Sequence, residues 1–136
     1  MDIREVLASL HQKVEGAVAS VLVGSDGETI DLYSEDTTLD AEWIGARYGI
    51  VIRDVLGTLK RLNQGELRTI VMELEKGTLV ILPLRGLFSL MLFLQPQGNL
   101  GQALFHGRVV ASALEKELVP PWLMERTLHL QSRAHN

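Results

Sequence analysis

The chain has 136 residues, the size of one ordinary domain, and at that length it can bury a hydrophobic core of its own. It contains no cysteine, which excludes disulfides, thiolate metal sites and a thiol nucleophile. The formal net charge is −4 and no dense Lys/Arg face is visible, which argues against a dedicated nucleic-acid-binding protein because phosphate binding needs a basic surface.

The amino-terminal stretch MDIREVLASL resembles neither a secretory signal nor a transit peptide, since it carries acidic residues early and has no long apolar run. We therefore expect a cytoplasmic protein. The most apolar stretch, residues 78–94, is interrupted by Pro83, Arg85 and Gly86. Each half is far shorter than the roughly 20 residues that cross a bilayer, so no membrane span is predicted.

The chain opens with a predicted amphipathic helix followed by a β-hairpin. Asp2 and Glu5 form a capping box, the apolar residues after them have helical spacing, and Gly16 ends the helix. Residues 17–23 are rich in valine, and residues 28–33 alternate between apolar and polar side chains. The Ser-Asp-Gly sequence between these two strands is typical of a hairpin turn.

Residues 40–63 are predicted to form one long helix, because their apolar residues recur every three or four positions. This predicted buried stripe is Ile44, Tyr48, Val51, Val55, Leu59 and Leu62. On another line of the same helix, Ala41, Gly45 and Gly49 recur every four residues, and glycine destabilises a helix interior. Such a line indicates close backbone approach, either to a second copy of the chain or to the chain's own sheet.

Three further strands are predicted at residues 67–75, 78–84 and 87–94, joined by the tight turns Lys-Gly and Arg-Gly. The first of them alternates, with Ile70, Met72 and Leu74 on one face. The last is apolar at nearly every position, so both of its faces must be covered. We therefore expect helices on both faces of the sheet.

A final helix is predicted from Asn99, a good N-cap, with Gln102 at the reciprocal position of a capping box. Its predicted buried stripe is Leu100, Leu104, Ala111, Leu114 and Leu118. The element order is thus αββαβββα, an α+β fold. Pro120 and Pro121 break the pattern, so we predict a domain over residues 1–118 and a tail over residues 119–136.

The tail contains large apolar residues, including Trp122 and Leu123, and residues 122–136 are expected to form about two helical turns. Apolar side chains of this size need a surface to cover them. One interpretation is that the tail docks on its own domain beside the last helix. The other is that it forms a short helix that binds a partner.

These elements resemble the Roadblock (dynein light chain) family, especially its bacterial MglB-like members. The resemblance covers residues 1–118 and is carried by the order of the opening helix, the GSDGETI hairpin at 24–30, the long helix at 40–62, the GELRTIVMELEKGTLVILPL hairpin at 65–84 and NLG at 99–101. It implies a five-stranded antiparallel sheet with the long helix on one face and the other two helices on the opposite face. It also implies a homodimer joined along the third strand and the long helix.

MglB-like proteins bind a small Ras-like GTPase and can promote its GTP hydrolysis, which helps to set cell polarity in gliding bacteria. The resemblance therefore implies a GTPase as a partner. Two other hypotheses remain: a structural adaptor that leaves nucleotide turnover unchanged, and a ligand-sensing domain with a small apolar pocket. Phosphate release by the partner GTPase would separate the first hypothesis from the second.

The predicted dimer interface combines the glycine line with the outward face of the third strand. An uncovered strand edge exposes unpaired backbone groups, and pairing with a copy of itself would satisfy them. The residues assigned to this interface are Gly45, Gly49, Thr69, Val71 and Glu73.

The polar side of the long helix carries cations that could meet an acidic partner surface, although a solvated face is the commoner explanation. The candidate partner-binding residues are Arg47, Arg53, Lys60, Arg61, Trp122 and Leu123. None is assigned as an arginine finger, since the resemblance implies that such proteins act by remodelling their partner.

The sequence offers little for catalysis of its own. It has no phosphate-binding glycine loop, no serine nucleophile elbow and no zinc-protease motif. The four histidines, His11, His106, His129 and His135, have no metal-site spacing and are interpreted as ordinary histidines. We therefore predict a non-catalytic protein without a cofactor or metal.

Overall fold

The computed structural model describes residues 1–123. The helices are α1 (Ile3–Lys13), α2 (Ala41–Leu59) and α3 (Leu100–Leu118), with a short 3-10 turn over Lys60–Leu62. The strands are β1 (Ala17–Gly24), β2 (Thr29–Ser34), β3 (Ile70–Leu74), β4 (Gly77–Leu84) and β5 (Phe88–Leu94). They form one sheet in the order β2-β1-β5-β4-β3, and every neighbouring pair is antiparallel. This confirms the predicted αββαβββα order and the α+β class.

The central strand β5 is buried on both faces, as its sequence predicts. Leu90 and Leu92 belong to the core that α1 and α3 form on one side of the sheet. Met91 and Phe93 belong to the core beneath α2 on the other side. Because successive side chains of a strand point to opposite faces, an apolar run of this kind requires helices on both sides.

The turn after α1 meets the turn before α3 at two glycines. Gly16 has a positive φ of 84°, and a Cβ atom there would lie 2.5 Å from the Cα of Gly98. The backbone N–H of Asn99 donates to the carbonyl of Glu15 at 2.8 Å. The Gln102 side chain accepts from the N–H of Glu15 at 2.9 Å, so it joins the two turns and does not complete the predicted capping box. Asn99 caps α3 as predicted, accepting from the N–H of Gln102 at 2.9 Å.

The buried side of α2 differs from the predicted stripe. Ala41, Gly45, Gly49 and Ile52 are buried against the sheet, while Ile44 and Tyr48 are half-buried beside them. Val51 is 47% exposed and Leu62 is 59% exposed, so these two predictions were wrong. The small residues let the helix approach the sheet closely, and that tilts the larger residues of the stripe outward.

The buried side of α3 also differs in part from its prediction. Ala111 and Leu114 are buried as predicted, together with Ala103, Gly107 and Val110. Leu104 is half-buried at the margin of the core and is not the buried residue that the sequence predicted. Gly107 lies directly over the sheet, because a Cβ atom there would lie 2.8 Å from Leu82 Cδ1. As in α2, small residues occupy the line of closest approach.

The packed part of the chain continues past α3 at least to Val119, which is buried and whose N–H donates to the Glu115 carbonyl at 2.9 Å. Trp122 is exposed, and the N–H of Leu123 donates to the carbonyl of Pro120 at 3.0 Å. The rest of the predicted tail helix, residues 124–136, lies outside the described residues. No helix within residues 1–123 is both long and apolar enough to cross a membrane.

A buried histidine connects α1 to the sheet. The Nε2 atom of His11 lies 3.2 Å from the Ser20 hydroxyl, and its Nδ1 atom lies 3.7 Å from a Glu35 carboxylate oxygen. The ring meets Tyr33 edge-on at 4.7 Å between centroids. Burial lowers the pKa of His11 below 6.5, and the nearby Glu35 carboxylate only partly opposes this.

We expect replacement of Leu114 by alanine to lower the free energy of unfolding by about 2–5 kcal/mol, because it leaves a cavity between α3 and the sheet. Leu104→Ala should cost less, since Leu104 is only half-buried. Asn99→Ala should cost about 1 kcal/mol through loss of the cap. Urea denaturation of the three variants measures this order. A loss at Leu104 as large as that at Leu114 would contradict the observed packing.

We also expect stability to fall in acid because of His11. The unfolded chain binds a proton at a pKa near 6.5, whereas the folded chain binds it only at lower pH. The contribution of neutral His11 is therefore complete above pH 6.5 and is lost as pH falls from 6.5 through the lower pKa of the folded state. Urea denaturation at pH 7.5 and 5.0 should show a smaller loss for His11→Gln than for the unaltered protein. Equal losses would contradict the prediction.

Candidate functional site

α2 and the 3-10 turn that follows it expose four large apolar residues, which we call the outer α2 surface: Trp43, Ile50, Val51 and Leu62. Trp43 and Ile50 are seven residues apart, about two helical turns, and so lie on one line. The guanidinium of Arg47 lies 5.9 Å from the centre of the Trp43 ring, within the range of a cation–π contact. Exposed aromatic and aliphatic groups together with arginine are typical of protein-binding surfaces.

The strand β3 forms one edge of the sheet, and no described helix packs extensively on it. Its Ile70 and Met72 side chains reach the core beneath α2, while Val71 is 38% exposed and Leu74 is 66% exposed. We call the unpaired side of β3, with the exposed Val71, Glu73 and Leu74, the β3 edge. An apolar edge with free backbone groups favours pairing with another strand.

The glycines of α2 are packed within the chain. A Cβ atom on Gly45 would lie 3.0 Å from Val21 Cγ1, and one on Gly49 would lie 3.2 Å from the carbonyl oxygen of Gly24. The close approach that the sequence indicated is thus made to the chain's own strand β1. This was the second of the two interpretations, so the exposed residues around the glycines, and not the glycines themselves, form the candidate contact surface.

The candidate cations on and after α2 do not form one patch. Arg47 lies beside Trp43, whereas Arg53 and Lys60 line a cleft at the other end of the helix. Arg61 is exposed in the short turn after α2. Trp122 is 63% exposed just beyond α3. Of the predicted partner-binding residues, Arg53 and Lys60 lie in one cleft.

The cleft near Arg53 contains residues that sequence reasoning missed, above all Arg85 and Arg108. Arg85 lies between two carboxylates: its Nη1 atom is 3.6 Å from Glu66 Oε2 and its Nε atom is 3.7 Å from Glu115 Oε2. Burial raises the pKa of Glu115; Arg85 opposes this rise and Glu66 adds to it. The sequence signal was the Arg-Gly turn, but the turn alone does not show which side chains surround Arg85.

Other polar groups do not assemble into an active centre. Ser20 lies next to His11, whose other ring nitrogen is near Glu35, but Ser20 is completely buried, so no substrate can reach its hydroxyl. His106 stacks edge-on with Phe105 at 5.0 Å on α3, and His129 and His135 lie outside the described residues. Within residues 1–123, no group of three or more His, Asp or Glu side chains could hold a metal ion.

No family model and no curated protein sequence matches the chain. Several solved structures are similar to it over most of its length. A Roadblock/LC7 domain from Streptomyces avermitilis shares 16% identity and a TM-score of 0.77, covering 88% of this chain and 100% of its own. MglC from Myxococcus xanthus shares 28% identity and a TM-score of 0.62, covering 87% and 100%. MglB from Myxococcus xanthus shares 18% identity and a TM-score of 0.76, covering 84% and 85%.

These likenesses agree with the sheet order and the placement of the helices described above. Most of these sequence identities are below 20%, so what the structures share with this chain is the arrangement of helices and strands. The chain has the fold of the Roadblock/LC7 domains.

Proposed function

We propose that the protein is a homodimeric, cytoplasmic regulator that binds a small Ras-like GTPase and has no active site of its own. The observation that carries this proposal is the outer α2 surface together with the unpaired β3 edge. A regulator without catalytic groups must act through contact surfaces, and these two are among the apolar surfaces that the described residues leave uncovered. The resemblance to MglB-like proteins supplies the class of partner.

The β3 edge supports a dimer in which two copies of β3 pair antiparallel about a two-fold axis. In the register that places Val71 opposite Val71, Glu73 of one copy lies opposite Thr69 of the other. That register brings two apolar side chains together and sets a carboxylate beside a hydroxyl. A register centred on Glu73 would instead oppose two like charges, which is destabilising. We therefore propose the register centred on Val71.

The outer α2 surface supports a second contact in the same dimer or a contact with the GTPase. Val51 follows Ile50 and lies about 100° further round the helix, so it exposes a second apolar side of α2 beside the line of Trp43 and Ile50. Burying such side chains stabilises a complex by removing apolar area from water. We propose that Val51 meets the second copy while Trp43 and Ile50, on the other exposed side of α2, meet the GTPase.

We expect Val71→Glu and Val51→Glu each to raise the dissociation constant of the dimer at least about tenfold, because each buries an unpaired charge. Both residues are exposed in the single chain, so the fold should be unaffected. Val109→Glu is the matched control, since Val109 is also an exposed valine but lies on α3. Sedimentation equilibrium measures the constants. A monomeric unaltered protein, or equal effects of all three variants, would contradict the proposed interface.

The proposed register can be measured directly because the chain has no cysteine. A single Val71→Cys variant should form a disulfide between two copies under mild oxidation, since facing residues of an antiparallel pair have Cα atoms at disulfide distance. Val109→Cys should remain unlinked under the same conditions. Cross-linking through Val109→Cys but not through Val71→Cys would place the interface on α3 and would overturn the register.

We expect the protein to accelerate phosphate release by a small Ras-like GTPase, and the test uses any such GTPase that a search of the neighbouring genes identifies. Arg47→Glu and Arg61→Glu should each weaken binding about tenfold by reversing a charge at the contact. Arg4→Glu on α1 is the matched control, because α1 lies on the opposite face of the sheet. Binding without acceleration would support the adaptor hypothesis, and absence of binding would overturn the proposal.

The tail can be tested in the same assay. A chain that ends after Val119 keeps the last buried residue of the described part of the chain and removes Trp122 and Leu123. If the tail binds the partner, this truncation weakens GTPase binding and leaves the melting temperature unchanged. If the tail docks on its own domain, the melting temperature falls and the affinity stays the same.

A further inference from the structure

The sheet has an irregular edge that creates a cleft. The last residue of β4 that pairs with β3 is Ile81, but β4 continues to Leu84. Beyond Ile81 the edge is flanked by residues 65–68, which belong to no strand. The C-terminal end of α2 and the middle of α3, on opposite faces of the sheet, flank it as well. The space between them is a cleft of about 570 Å³, within the range of small-molecule sites in proteins.

The cleft has apolar walls and cationic side chains. Leu56 and Leu59 of α2, Leu82 of β4 and Ala111 of α3 are among the apolar residues that line it. The cationic lining residues are Arg53, Lys60, Arg68, Arg85 and Arg108, and the acidic ones are Glu66 and Glu115. Five cations against two carboxylates form a basic site in a chain whose formal net charge is −4.

Arg85 is the most buried of these cations, with only 17% of its side chain exposed. Its contacts with Glu66 and Glu115, at 3.6 and 3.7 Å, are longer than hydrogen bonds. Its Nε atom is buried without a hydrogen-bond acceptor among the described residues. A buried guanidinium N–H without an acceptor is costly, and an anionic oxygen bound in the cleft would remove that cost.

The backbone of Arg85 provides independent support. Arg85 has a φ of 54° and Gly86 a φ of 75°, so the pair forms the tight turn between β4 and β5 in a conformation that asparagine, aspartate or glycine adopts most easily. An arginine there is strained by an amount of order 1–2 kcal/mol. A residue kept in a strained conformation at the wall of a cleft indicates that its side chain has a role there.

We propose that this cleft binds a small organic anion, whose phosphate or carboxylate group contacts Arg85 and the rim cations while its apolar body lies against Leu56 and Leu82. Guanidinium groups match both kinds of anionic group, since they donate in parallel pairs. The proposal goes beyond the GTPase-binding function and does not depend on it.

The experiment is a titration of the full, isotope-labelled chain followed by amide NMR. The probes are phenyl phosphate and benzoate. Inorganic phosphate is the control for charge without an apolar body, and phenol is the control for an apolar body without charge. At least one of the two organic anions should cause saturable shifts at Gly57, Gly65, Gly86 and Ser112, which line the cleft. Both controls should bind at least about tenfold more weakly.

Arg85→Asn tests the assigned residue, because asparagine suits the turn while the guanidinium is lost. The dissociation constant of the bound probe should rise at least about tenfold in this variant and in Arg108→Gln, whose residue is exposed and outside the turn. Arg47→Gln removes an equal charge far from the cleft and should change nothing. Three results would each overturn the proposal. The first is unchanged binding in Arg85→Asn, and the second is equal weakening in Arg47→Gln. The third is the absence of a saturable shift with either organic anion.

Discussion

The fold depends on burying a sheet whose central strands have no polar face. β5 and most of β1 are apolar on both sides, so neither strand can lie against water on either face. An antiparallel sheet of this composition is stable only when helices cover both of its faces. The connections of the chain provide this cover, because α2 follows the β1–β2 hairpin on one side and α1 and α3 cover the other side.

The helices within residues 1–123 do not cover the five-stranded sheet evenly. α2 packs over β1, β2 and β5, while α3 packs over β4 and β5 and α1 over β1 and β2. β3, at the edge, receives little cover from any of the described helices. The partly buried Ile70 and Met72 and the exposed Leu74 follow from this arrangement. The same lack of cover leaves the outer side of β3 unpaired among the described residues.

Small residues set how closely each helix approaches the sheet. Gly45 and Gly49 in α2 and Gly107 in α3 lie over strand side chains or backbone at distances that leave no room for a Cβ atom without movement. A helix held this close buries its small residues and turns its larger apolar residues outward, as Val51 shows. Helix packing and the exposed apolar surface therefore have one cause, and the surface does not reflect a defect of the core.

The sequence by itself determined the elements, because their signals are local. The caps Asp2, Asp40 and Asn99 each accept a backbone N–H of the first helical turn. The alternation of apolar and polar residues in β3 likewise predicted a strand. The continuous apolar run of β5 predicted a strand that is buried on both faces. These elements predicted the α+β class. They also predicted helices on both faces of the sheet, because apolar faces must be buried.

Only the tertiary structure decided which apolar stripe of a helix is buried. A period of 3.6 identifies the residues that share a face, but α2 carries two candidate lines, and the line of Ala41 and Gly45 is selected by its close fit to β1. The cleft was equally hidden from the sequence. Arg53, Arg85 and Arg108 come from α2, a hairpin turn and α3, and their meeting depends on how far β4 extends beyond β3. Long-range packing sets that extension, and no local pattern encodes it.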